Sequence, residues 1–166
     1  IGAHMIGGRH HRAGVPIQHL LHVAGLGLAF GVQRIVAAAV ILTQGGISVT
    51  GAIVRVTASG LGCPTWPRCT DDSWNNVPEM GIHGFIEFGN RTLTGVLVVV
   101  ALLAFLSVVR MWHTRPELPR LTLAVGIGII LQAVIGGVTV WLHLHPSIVG
   151  LHYLVSAALV ALSAVY

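Results

Sequence analysis

Four stretches of the chain, residues 34–54, 87–109, 121–141 and 148–166, are apolar enough and close enough to twenty residues long to cross a bilayer as helices. No other property of the sequence restricts the fold as much. Inside hydrocarbon an unpaired backbone N–H or C=O is too costly to leave open, so a spanning segment must be a helix or a strand in a closed barrel. None of the four runs alternates polar and apolar residues as a barrel strand does. The sequence therefore predicts an all-α polytopic membrane protein, a four-transmembrane-helix bundle with a long outer loop, residues 55–86, between helices 1 and 2. Composition agrees, since 54% of the 166 residues are hydrophobic and 8% charged, outside the range of soluble domains. Residues 17–32, IQHLLHVAGLGLAFGV, are apolar but short and interrupted by Gln18, His19 and His22, and they read as interfacial. Residues 1–33 are accordingly set apart as a leader or interfacial segment, and 34–166 as the four-helix domain.

Orientation follows from the arginines, because Lys and Arg collect on cytoplasmic loops. All nine basic residues are Arg. Arg9, Arg12 and Arg34 precede the first span, and Arg110, Arg115 and Arg120 crowd the short connection between the second and third. Both termini are then expected in the cytoplasm, and the loop carrying Asp71, Asp72 and Glu79 on the outer side. The net charge of +4 reflects this topology; the partner it implies is a lipid bilayer, with no nucleic acid.

The outer loop reads RVTASGLGCPTWPRCTDDSWNNVPEMGIH and holds the chain's two cysteines, Cys63 and Cys69. In an oxidising compartment, with Pro64 and Pro67 bending the chain between them, the pair is well placed for a disulfide. A redox-active or heme-directed thiol pair is the rival reading, while zinc would need a second pair. So long a connection is expected to cover something.

Polar residues inside a membrane span are functional candidates by default. In the second span His83, Glu87, Asn90, Arg91 and Thr94 recur every three or four residues and share one helix face. Glu87 and Arg91 read either as a self-satisfied ion pair anchoring the helix end, or as a carboxylate kept poised beside an arginine, able to take a proton or steady a cation. In the fourth span His152, with Ser156 four residues on, suits a metal or heme iron, or else a hydrogen bond to a neighbouring helix. Spans one and three carry parallel stripes, Gln44, Ser48, Gly51, Arg55 and Gln132, Gly136, Thr139, His143, which are assigned to packing and hint at an internal repeat.

These residues carry a resemblance. TGAIVRVTASGLGCPTWPRC, IEFGNR and QAVIGGVTVWLHLHPSIVGLHYLVSAAL, in this order from about Arg34 to the end, resemble the N-terminal half of heme A synthase. The resemblance implies oxidation of the methyl group of heme O to the formyl group of heme A, for terminal oxidases, with water as oxygen source. By position it makes Glu87, assisted by Arg91, the catalytic residue, His152 the heme-iron ligand and Cys63 with Cys69 the loop disulfide; Arg91 would pair with Glu87 or with a heme propionate. Asn90 departs from the family motif, standing where a second histidine ligand is usual. It leaves an axial position open, or is replaced by His83, or marks a protein that binds heme without reacting it. IEFGNR resembles the form of actinobacterial relatives, which implies a bacterial cell membrane. The resemblance further implies a b-type heme in a second half or a second copy of the chain, heme O synthase as a partner, and a homo-oligomer in the second case. The apolar end ALVALSAVY reads as a truncation. The alternative from another class is a non-catalytic b-type membrane cytochrome or heme carrier.

Overall fold

A computed structural model describes the backbone of residues 17–165 and the side-chain surroundings of residues 31–165. The leader reading of residues 1–16 lies outside the described residues. The chain forms two units, residues 1–31 and 32–166. Of the first, the structure describes helical backbone from Ile17, so the stretch read as interfacial is helix.

The expected all-α membrane fold is present. Helix α1 is assigned over Ile17–Val56, α2 over Gly81–Val108, α3 over Glu117–Trp141 and α4 over Pro146–Ser163, with no strand among the described residues. Each includes a segment long and apolar enough to cross a membrane. The second helix starts six residues before the predicted 87, because apolarity marks where polar residues stop and not where the helix begins. Gly81–Ile86 stay helical although His83 interrupts the apolar pattern. Pro146 opens α4, where a missing N–H costs nothing. Glu117 in the first turn of α3 complements that end of the helix dipole.

The helices pack as neighbours in sequence. Gln33 of α1 reaches Met111 just beyond α2, and Thr50 reaches Asn90; α2 packs on α3 and α3 on α4. Val40, Leu97, Ala101, Ala104, Val125 and Ile129 form the buried core. A small void there is lined by Val40, Ala101, Ala104, Thr122, Val125 and Ser163, one or two residues from every helix. Large apolar residues such as Leu42, Val99, Ile127 and Leu154 point outward, as expected of lipid-facing positions.

Residues 57–80, between α1 and α2, fold back on the bundle. Gly62 lies so close to the His83 carbonyl that any Cβ would strike backbone, which requires glycine there. The Trp66 ring lies against Gly137 of α3 in the same way, and stands edge-on to Trp141 with centroids 5.4 Å apart. The indole of Trp141 donates to the Trp66 carbonyl at 3.3 Å. Gly137→Ala should lever Trp66 off α3 at a cost of about 1–3 kcal/mol, the usual range for overpacking. A red-shifted, more quenchable tryptophan emission would register it; an unchanged spectrum would show that Trp66 does not hold the loop down.

Candidate functional site

The core void fixes the relative depth of the four helices. Thr50 lies ten residues from Val40, while Asn90, Gly136 and His152 each lie eleven from Ala101, Val125 and Ser163, all toward the loop end. At 1.5 Å per residue these offsets are roughly 15–16 Å, so the four residues share one level. Glu87 stands about one turn nearer the loop. Two contacts fit this register: Thr50 Oγ1 donates to Asn90 Oδ1 at 2.7 Å, and the His152 ring lies against Gly136.

Glu87 is 5% exposed. One carboxylate oxygen accepts the Cys63 N–H at 2.7 Å; the other accepts from Arg91 Nε at 3.1 Å and from Arg91 Nη2. Arg91 also donates to the carbonyls of Thr65 at 2.8 Å, Arg68 at 3.1 Å and Cys63 at 2.9 Å. All five guanidinium N–H groups are therefore engaged, two by the carboxylate and three by the loop. A planar fork can hold so many acceptors at once where an ammonium cannot. The loop thus covers the Glu87–Arg91 pair, and Cys63 and Cys69, both buried with sulfurs 1.95 Å apart, close it. Of the two arginine pairings considered, the structure has the one with Glu87, extended to loop carbonyls that sequence gives no means of seeing.

His83 lies seven residues from Asn90, about 10 Å along the helix toward the loop. It is exposed; its Nδ1 is 2.9 Å from the buried Ser59 hydroxyl, and with Met80, Gly62 and Leu61 it lines an open cleft. The structure therefore does not bring His83 to the level of Asn90 and His152. His143 and His145 stay in the turn between α3 and α4, as their position beside Pro146 suggested.

His152 rests on α3. A Cβ on Gly136 would lie 3.2 Å from its Cε1 and 3.8 Å from its Nδ1, so the ring is seated on bare helix backbone. Its carbonyl accepts from Gln132 Nε2 at 2.6 Å, and the same nitrogen also contacts Ser156 Oγ. The His152 Nδ1 is buried with no hydrogen-bond partner, whereas Nε2 is not enclosed in this way. A side chain so placed fits heme iron, with a fixed imidazole offering one nitrogen. Gln132 was legible only as one member of a packing stripe. Within the α1 stripe Gln44 is buried but Ser48 and Arg55 are exposed, so packing does not explain that stripe as a unit.

The fold and this arrangement define an integral membrane helical bundle with a buried ionic pair under a closed loop and a seated histidine toward the loop end of the bundle. The chain belongs to the COX15-CtaA family of cytochrome oxidase assembly proteins, whose model matches residues 34–166. It is similar to proteins named heme A synthase. That of Alkalihalophilus pseudofirmus is 32% identical over 113 residues, 67% of this chain and 37% of that one. That of Bacillus pumilus is 33% identical over 112 residues, 66% of this chain and 36% of that one. The chain thus matches little more than a third of the length of these relatives. No solved structure matches it.

Proposed function

We propose that this chain is the substrate-binding half of a heme A synthase, holding heme O and oxidising its methyl substituent to a formyl group. Adding one water and removing four electrons and four protons balances that conversion, the gem-diol losing water. A b-type heme, in a further half or a second copy, is the electron acceptor; heme O synthase supplies the substrate. The loop faces the outside of a bacterial cell and both termini the cytoplasm, as the arginine distribution supports.

One observation carries this reading. His152, Asn90 and Thr50 share a level, with the buried carboxylate of Glu87 one turn away. When bound, heme supplies the iron and the oxidisable methyl group. His152 holds the iron, and Glu87 stands beside the ring as proton acceptor and cation stabiliser. Arg91 does not reach a propionate in this proposal, because the carboxylate and the loop occupy all its donors; its part is to hold Glu87 oriented. Asn90, its side-chain oxygen tied to Thr50, would not hold iron as a histidine would. His83 as the replacement ligand is the reading the geometry supports least, given its distance from this level.

The test is to produce the chain beside a heme O synthase, purify it, extract the bound heme and separate it chromatographically. Bound heme O is the expected result. Heme b alone would move the assignment to the membrane cytochrome or carrier.

A further inference from the structure

The α3 stripe does more than pack. Gln132 Nε2 must be the donor to the His152 carbonyl, since a carbonyl can only accept; this fixes the amide orientation and turns Oε1 the other way. That oxygen is buried without a partner, and so is the His152 Nδ1. Both lie at the α3–α4 contact. One can serve only as acceptor, while the other carries a proton in one of the two neutral tautomers. Gln132 and Gly136 are a single turn apart on α3, and the position of a Gly136 Cβ is 3.8 Å from Nδ1, so the amide and the ring meet the same stretch of that helix. Buried polar atoms left open are costly, so two complementary ones at one contact are expected to be joined.

We infer that Gln132 is a positioning residue for His152, gripping its main chain through Nε2 and accepting its Nδ1 proton at Oε1, so that Nε2 is offered to iron. The inference about iron rests on the proposed function, but the hydrogen bond does not. A histidine that ligates a metal nearly always donates its other ring N–H to a carbonyl, carboxylate or water, which fixes its tautomer and raises its basicity. Gly136 completes the seat, because a side chain there would displace the ring.

The hydrogen bond is tested without heme by histidine nitrogen NMR on the full chain in detergent. Wild type should show His152 protonated at Nδ1, Gln132→Met should lose that preference, and Gln132→Glu, which keeps an acceptor oxygen in either protonation state, should retain it. Hemin titration follows with the same proteins. Gln132→Met should bind about tenfold more weakly, at the lower end of what losing such a partner costs, while Gln132→Glu, which keeps the acceptor but as a carboxylate lacks the donor to the His152 carbonyl, should bind more tightly than Gln132→Met. A residue that only packs would behave in reverse, tolerating Met and suffering from Glu. An Nε2-protonated wild type, or a tautomer indifferent to Gln132→Met, would overturn the inference. A Gln132-dependent Nδ1 proton in a chain that takes no hemin would leave it standing and overturn the ligand role of His152 instead.

Discussion

Arg91→Ala is expected to destabilise the protein by on the order of 3–5 kcal/mol, the range for removing one partner of a buried ion pair. The loss has two sources. Glu87, 5% exposed, keeps its Cys63 N–H but loses its counter-charge, and the carbonyls of Cys63, Thr65 and Arg68 lose the donor that binds them to α2. Arg91→Lys should recover only part of this, since three donors on one nitrogen cannot match a five-donor fork. Denaturation in mixed micelles reads the stability, and limited proteolysis between Ser59 and Met80 reads the loop. A change within about 1 kcal/mol, the scale of exposed pairs, together with an uncut loop, would mean that the pair is a surface decoration.

His152→Ala is expected to weaken hemin binding by more than about 100-fold, beyond the 10- to 100-fold typical when a ligand loses only its hydrogen-bond partner. Folding should be almost unaffected, because the ring occupies a seat on Gly136 and the Gln132 bond is to the His152 main chain, which alanine retains. Unchanged hemin affinity would make His152 a packing residue, leaving the level it shares with Asn90 without functional meaning.

The fold was largely legible, because membrane helices obey one overriding constraint and their apolar length is written in the sequence. The helix boundaries were less so: α2 runs back through His83 to Gly81, where loop contacts, not apolarity, decide the start. Glu87, Asn90, Arg91 and His152 could be singled out from their spacing on apolar helices. What they touch could not, since it depends on a fold-back set by Gly62 against His83 and Trp66 against Gly137, contacts between residues distant in sequence. Gln132 was passed over because an amide among small residues has the pattern of a packing stripe, and only its bond to the His152 carbonyl separates the two roles.

Whether Glu87 performs chemistry or only clamps the loop is the central question, and Glu87→Gln separates the two. Glutamine can keep an oxygen for the Cys63 N–H and for Arg91 but cannot take a proton as a carboxylate does. The measurement is the heme extracted from cells expressing the whole gene product, wild type or Glu87→Gln, beside a heme O synthase. Heme A from wild type, and retained heme O without heme A from a stably folded Glu87→Gln protein, is the predicted result. Heme A made at wild-type levels by Glu87→Gln would contradict it and leave the Glu87–Arg91 pair as the fastening of the loop.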